Sequence, residues 1–166
     1  YATAVGTGPY SAPGAVAFND LTGDSVHLST PTTSNVDLTA PGFYSATYTY
    51  SISNGYVNYT TSKSRLILVT PVSPTQDISG TYKRLSNGQE VHVTKYGTGI
   101  YITDNVGGVA NNPDYIFNVF FGLTSDTTIE VPEQPNPFGG LVTCENTSLT
   151  ISASDTLFSW VVNGVG

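Results

Sequence analysis

The chain has 166 residues and a formal net charge of −7, and charged residues make up 10% of it, against about 25% in an average soluble protein. Aromatic residues make up 11%, which argues against a disordered chain. The five Lys and Arg residues form no basic stripe, so nucleic acid and anionic membranes are excluded as partners. The surface is therefore expected to consist of Ser, Thr, Asn, Gln and Tyr, a composition common in extracellular β-proteins.

Short runs rich in Val, Ile, Thr, Tyr and Phe recur between Gly, Pro, Asn and Ser residues, which predicts antiparallel strands joined by turns. The first clear strand covers residues 44–52. Asn54-Gly55 then predicts a hairpin to a strand at Tyr56–Thr61. Residues 65–70 form a denser apolar run and are expected to lie centrally in a sheet.

The second half continues the same pattern. A further Asn-Gly pair, Asn87-Gly88, separates predicted strands at 80–85 and 89–95. Later strands are predicted at 100–103, 115–121, 128–131, 141–144, 148–152 and 158–162. A third Asn-Gly pair, Asn163-Gly164, lies near the end of the chain.

Two prolines, Pro71 and Pro74, follow the strong strand at 65–70 and break strand pairing. We therefore expect two domains, at 1–71 and 77–166, joined by a linker at 72–76. The fold class predicted is all-β: an Ig-like sandwich followed by a second small antiparallel sandwich or partly open barrel.

The first segment resembles the Ig-like domain of bacterial surface proteins. The motifs that carry this resemblance occur in the expected order and cover nearly all of residues 1–71. They are Pro13-Gly14-Ala15, Asp20–Asp24, Val36-Asp37, Pro41–Tyr44, Tyr48, Asn54–Tyr56 and Arg65–Val69.

The second segment is similar to a β-rich domain of unknown function that follows such modules in Bacteroidetes surface lipoproteins. Its matching stretches are 77–82, 96–101, 104–108, 127–134 and 158–160. The resemblance implies a lipid-anchored protein of the outer membrane or cell surface, with a link to polysaccharide handling, and it supplies no catalytic motif. The chain begins at Tyr1 and has no Met. It is therefore expected to be a processed or trimmed form, with its lipid anchor outside this chain.

The sequence argues against an enzyme. Glycosidases need two facing carboxyl groups, and the candidate acids are scattered along the chain: Asp104, Asp114, Glu130, Glu133 and Glu145. His92 lies between two valines and is expected on the solvated face of a strand, and no zinc or nucleotide-binding motif occurs. Cys144 is interpreted as a small core residue.

No cofactor or bound metal is expected. Asn19, Asp20 and Asp24 could contribute to a Ca²⁺ site, but three side chains do not supply the six to eight oxygens that Ca²⁺ takes. The alternative is a turn in which these side chains bond their own backbone.

The aromatic residues supply the candidate binding residues: Tyr56, Tyr59, Tyr115, Phe117 and Phe120. Because side chains alternate along a strand, rings in 115–121 must occupy both faces. Exposed rings stack on sugars or anchor protein interfaces, whereas paired rings stabilise hairpins. Trp160 is expected in the core of the second domain.

Two functions from different classes follow. The leading one is a non-catalytic surface module that binds a polysaccharide. The alternative is a structural spacer or a subunit of a surface assembly, with other surface proteins as partners. A glycan-active hydrolase ranks below both, because it requires a pocket that holds two acids.

Overall fold

The computed structural model describes residues 1–73, 75–110 and 112–164. The predicted all-β class is confirmed: the described chain forms antiparallel sheets, and one of them curls into a half-barrel. In these ranges no helix is long and apolar enough to cross a bilayer.

The N-terminal region, residues 1–71, contains six strands: β1 (Ala2–Ala4), β2 (Ala15–Phe18), β3 (Ser25–Leu28), β4 (Thr33–Ser34), β5 (Gly42–Ser53) and β6 (Asn58–Thr70). Four of them form a sheet in the order β1-β6-β5-β4, and β2 and β3 form a separate hairpin. The short β1 runs parallel to the end of β6. As predicted, the end of β6 is central and buried.

The hairpin predicted at Asn54-Gly55 joins β5 to β6. The Asn54 side chain accepts the backbone N–H groups of Tyr56 and Val57, and Gly55 has a φ of +88°, a conformation that glycine adopts without strain. The outer half of this hairpin is exposed. One of its faces carries hydroxyl pairs at 2.8–2.9 Å: Thr47 with Ser64, Thr49 with Ser62 and Ser51 with Thr60.

The C-terminal region, residues 77–164, contains eight strands: β7 (Gly80–Lys83), β8 (Glu90–Gly97), β9 (Ile100–Thr103), β10 (Val119–Ser125), β11 (Thr128–Glu130), β12 (Gln134–Pro135), β13 (Leu141–Ile151) and β14 (Thr156–Asn163). A five-stranded antiparallel sheet has the order β11-β10-β9-β8-β7, and a three-stranded sheet has the order β12-β13-β14.

The main core lies between these two sheets. Tyr101 and Phe121 are fully buried and their rings stack at 5.6 Å between centroids. Trp160 packs against Phe121 at 5.4 Å, and its indole N–H donates to the carbonyl of Val106 at 2.8 Å. The expectation that Trp160 belongs to this core is confirmed, although its ring remains partly exposed.

The two regions meet at a glycine of the five-stranded sheet. A Cβ at Gly122 would lie 2.7 Å from the Phe43 ring and 2.9 Å from Leu68, so this position has no room for a side chain. Beside it, the Thr70 hydroxyl donates to the carbonyl of Leu123 at 2.6 Å. The end of the N-terminal sheet therefore packs directly on the outer side of β10.

Three sets of strand bounds were predicted wrongly. The strands predicted at 56–61 and 65–70 merge into the single strand β6 (Asn58–Thr70), and those predicted at 141–144 and 148–152 merge into β13 (Leu141–Ile151). The strand predicted at 115–121 begins only at Val119, and Pro113–Tyr115 forms a 3₁₀ turn. The reason is local, because Pro113 fixes its own φ near the helical value and has no N–H to donate to a sheet.

The predicted linker at 72–76 lies against the C-terminal region. Val72 is buried in its core, and the carbonyl of Gln76 accepts the Tyr101 hydroxyl and the Lys95 ammonium. Pro74 falls outside the described residues. The domain bounds and the Ig-like assignment stay predictions.

Candidate functional site

The outer face of the five-stranded sheet brings aromatic and polar side chains together. We use the name "outer face" for Thr81, His92, Thr94, Tyr96, Ile102, Asp104 and Phe120. Alternation along the strands produces it, because Val91 and Val93 in β8, and Phe121 in β10, point into the core. Their neighbours in sequence must therefore point outward.

Cross-strand register arranges the outer face in rows. One row joins Thr94, Ile102 and Phe120 across β8, β9 and β10. The next row along contains His92, which lies opposite Thr81 of β7. Successive rows are two residues apart, or about 7 Å. Phe120, at what we call the aromatic end, and His92, at what we call the polar end, thus lie in neighbouring rows of one surface.

Tyr96 and Phe120 form the aromatic end. Their ring centroids lie 5.2 Å apart in an edge-to-face arrangement, and Tyr96 is 71% exposed. Phe120 is held from behind by the Gln134 side chain, which accepts its N–H at 2.9 Å and donates to its carbonyl at 2.8 Å. The Gln134 amide thereby pairs with the β10 backbone at a place where no strand of the described residues does so on the β11 side, and holds the strand that carries the Phe120 ring.

His92 and Asp104 form the polar end. Asp104 Oδ2 lies 2.7 Å from His92 Nδ1, and Asp104 Oδ1 accepts the backbone N–H of His92 at 2.8 Å. The carboxylate fixes the orientation of the ring and places a proton on Nδ1. The side chains are 57% and 46% exposed. The pair is therefore a pre-oriented group that can exchange hydrogen bonds with a ligand on the outer face.

The N-terminal region borders the aromatic end. Phe43 packs on Gly122, which is two residues from Phe120 on the same strand and so faces the same side. Leu66 lies two residues before the buried Leu68 on the same face of β6, and it remains partly exposed. On the β10 side the outer face therefore ends against the other region, and on the opposite side it reaches β7, the last strand of the sheet.

A second exposed aromatic pair lies elsewhere in the C-terminal region. Tyr115 and Phe138 have ring centroids 5.2 Å apart and are each about two-fifths exposed. The buried side chain of Asn136 shapes the loop that carries Phe138, by accepting the Phe138 N–H and donating to the carbonyl of Gly164. Phe117 is buried against Phe138. Its ring packs beneath the exposed pair, and its role in ligand binding stays a prediction.

The remaining aromatic candidates, Tyr56 and Tyr59, lie on the β5–β6 hairpin. Tyr56 is 96% exposed, in the turn, and Tyr59 is paired across the hairpin with Ile52. The structure therefore distributes the five predicted binding residues over three places instead of one site.

The acids are not gathered into one centre. The described residues contain no group of three or more His, Cys, Asp or Glu side chains that could hold a metal ion. Asn19 accepts the N–H groups of Leu21 and Thr22, and Thr22 donates to Asp24. This is the self-bonded turn that was the alternative to Ca²⁺ binding.

Glu130 has a structural position. It points away from the buried side chains of Ile129 and Val131, as expected, and its carboxylate lies at the junction of the two regions, 3.6 Å from the position of a Cβ on Gly42. Burial raises the pKa of Glu130, and a hydrogen bond from the Phe43 N–H opposes part of that rise.

Cys144 is half-buried and packs against the core, as predicted. Burial raises the pKa of its thiol to about 11. The thiol is therefore protonated at neutral pH, and a reactive thiolate is not available.

Sequence reasoning missed Tyr96, Phe138 and Asp104 as partners. Tyr96 stands in a Gly-rich stretch that signals a turn, and its ring meets Phe120 only because β8 and β10 flank β9. Asp104 is twelve residues from His92, and only the β8–β9 register brings the two together. The alternation around His92 was the one available signal for this face.

Comparisons with known proteins give little beyond the geometry. No protein-family model matches the chain, and no curated protein matches it. A crystal structure of a lipoprotein from Bacteroides thetaiotaomicron is similar at 22% sequence identity and a TM-score of 0.37, with 97% of this chain and 93% of that chain covered.

Proposed function

We propose that this chain is a non-catalytic accessory module that binds a neutral polysaccharide on its outer face. The observation that supports this most directly is the Tyr96–Phe120 pair, which lies on the same exposed sheet surface as the oriented His92–Asp104 pair. An open sheet surface suits a polymer, because the ligand can extend beyond the sheet at its β7 edge, where no described strand pairs with β7 on its outer side.

Sugars require both kinds of group that the outer face offers. Aromatic rings present an apolar surface that packs against the C–H faces of a pyranose, and a few placed polar groups fix the ligand's orientation. Both halves are held in place before binding, Phe120 by Gln134 and His92 by Asp104. Such preorganisation lowers the entropic cost of association.

Charge favours a neutral polymer over an acidic one. The chain carries a net charge of −7, and Asp104, next to the end of β9, places a carboxylate on the outer face. An anionic glycan would meet like charge there. A neutral glycan would not, and its hydroxyl groups can both donate to and accept from His92 and Asp104.

The proposed location is the bacterial cell surface or outer membrane, through a lipid anchor outside this chain. Support comes from the low charge content, the Ser, Thr, Asn and Tyr composition, and the ordered motifs that resemble the modules of Bacteroidetes surface lipoproteins.

The test is affinity gel electrophoresis of the purified chain through a panel of neutral and acidic polysaccharides. We expect retardation by at least one neutral polymer. Tyr96→Ala should weaken binding about tenfold, or about 1.4 kcal/mol, since aromatic anchors dominate most interfaces. Tyr56→Ala is the control, because Tyr56 is an exposed tyrosine in the other region.

The outcomes separate the alternatives. Retardation that Tyr115→Ala removes and Tyr96→Ala does not would move the site to the Tyr115–Phe138 pair. Release of reducing ends from a retarding polymer, lost in His92→Ala, would make the protein a hydrolase. No retardation by any polymer would contradict glycan binding.

A structural spacer is the second candidate, and the junction favours it. Phe43 and Leu68 pack on Gly122 without room for a Cβ, and the Thr70–Leu123 hydrogen bond ties the same place. Two regions fixed in this way would act as a stiff unit, which is what a spacer requires. This role predicts no polysaccharide affinity.

A further inference from the structure

β14 ends its sheet with a long uncovered edge. It pairs with β13 along one side, and no strand in the described chain pairs with its other side. Alternate backbone N–H and C=O groups of an edge strand point away from the sheet and are available to another strand. At eight residues β14 is twice the length of β7, the strand that ends the five-stranded sheet.

This edge lacks the features that usually protect a strand from pairing. Residues 156–164 contain no charged residue and no proline, the two commonest protective features. Each of the other sheet-ending strands of the C-terminal region has one of them: β7 carries Lys83, β11 carries Glu130, and β12 contains Pro135.

The side chains of β14 leave apolar surface on both faces. Leu157 and Val161 are about half-exposed on the outward face, on either side of Ser159. On the inward face, Phe158 and Trp160 pack against the core but remain partly exposed. A strand laid along this edge would cover part of all four.

We propose that β14 pairs antiparallel with β14 of a second copy of this chain, about a two-fold axis at Ser159, and so joins two three-stranded sheets into one of six strands. The sequence of the strand is self-complementary in this register. Leu157 lies opposite the partner's Val161 on the outward face. Phe158 lies opposite the partner's Trp160 on the inward face, an aromatic cross-strand pair of the kind that stabilises sheets.

In this register the paired edges place no like charges opposite one another. Two copies with a net charge of −7 each repel one another in general. This edge is uncharged, and Asp155, which just precedes it, would lie opposite the partner's Asn163 and not opposite an acid. The contact is isologous: both copies use the same edge. Two copies therefore form a closed dimer and do not extend into a fibre.

Disulfide trapping tests the register, in a Cys144→Ser background. Ser159→Cys would place two cysteines directly opposite one another, with their Cα atoms about 4.5–5.5 Å apart, within the Cα range for a disulfide. Ser148→Cys is the matched control, since Ser148 is an exposed serine that hydrogen-bonds to Ser159 at 2.8 Å on the same face. Two copies of residue 148 would be three strand spacings apart, or about 14 Å.

We expect Ser159→Cys to give a covalent dimer under mild oxidation and Ser148→Cys to stay monomeric. Sedimentation of the unmodified chain should show a concentration-dependent dimer. Val161→Lys should weaken that dimer at least tenfold, and Leu85→Lys, in an exposed turn, should not. A monomer at every concentration, equal trapping at both serines, or a dimer that tolerates Val161→Lys would each overturn the proposal.

Discussion

The two regions of this chain achieve stability in different ways. Among the described residues, the core between the two C-terminal sheets has thirteen buried residues, twelve from the C-terminal region and Val72 from the predicted linker. The N-terminal region has a core of three, Ala46, Tyr48 and Ile67, covered by the short β2–β3 hairpin. Apolar burial contributes about 25 cal/mol per Å², so the larger core must supply most of the hydrophobic stabilisation.

The comparison indicates what holds the N-terminal region together. Its long β5–β6 hairpin is stabilised by backbone pairing and exposed hydroxyl pairs, each of small net value. Its best-buried side chains other than the three core residues, Leu68 to Thr70, lie at the end that packs on the C-terminal region. We therefore expect the N-terminal region to depend on the junction, and the C-terminal region to fold without it.

The largest expected effect is truncation in the larger core. Phe121→Ala removes a fully buried ring that packs against Tyr101 and Trp160, and should cost about 3–5 kcal/mol. Ile67→Ala should cost only about 2 kcal/mol, at the low end for such changes, because a small core can collapse into the space. Urea unfolding followed by Trp160 fluorescence and by circular dichroism measures both, and equal costs would contradict the comparison.

The next effect concerns the junction. Gly122→Ala places a methyl group 2.7 Å from the Phe43 ring, and relieving that overlap should cost about 1–3 kcal/mol. We expect the N-terminal region to lose hydrogen-exchange protection first, since its buried end loses its partner. Gly97→Ala is the control, because a Cβ there meets nothing within 4 Å. If Gly122→Ala were as stable as Gly97→Ala, the two regions would be independent.

The smallest effect is electrostatic. Burial raises the pKa of Glu130 above its ordinary value in the folded chain, so the folded state binds a proton more tightly than the unfolded state does. Stability from this group is therefore present below the ordinary pKa and is lost as pH rises through the folded value. Glu130→Gln keeps an acceptor for the Phe43 N–H and removes the charge.

We expect Glu130→Gln to raise the free energy of unfolding at pH 7 by under about 1 kcal/mol. This advantage should be lost at pH values below the pKa of Glu130 in both the folded and the unfolded state. Urea midpoints across this range provide the measurement. Glu133→Gln, in an exposed loop, should show no such trend. A Gln variant that is less stable at pH 7 would mean that the ionised carboxylate strengthens the junction.

Local patterns predicted most of the secondary structure. Asn54-Gly55 and Asn87-Gly88 stand at the turns where they were expected, with a φ of +88° and +70° at the glycines. The alternation around His92 correctly assigned it to the exposed face of its strand. The strand predicted at 115–121 begins too early, because the β-forming residues from Tyr115 onward follow Pro113, which places Pro113–Tyr115 in a 3₁₀ turn.

The sequence by itself determined the all-β class, the hairpins and the inward or outward direction of most strand residues. These depend on residues within a few positions of one another, through turn chemistry and the two-residue period of a strand. Tertiary structure alone decided that Tyr96 meets Phe120, that Asp104 orients His92, that Gly122 receives Phe43 and that β14 is left at an edge. Each of these follows from strand order and register, which are set by long-range packing and leave no mark in a local stretch of sequence.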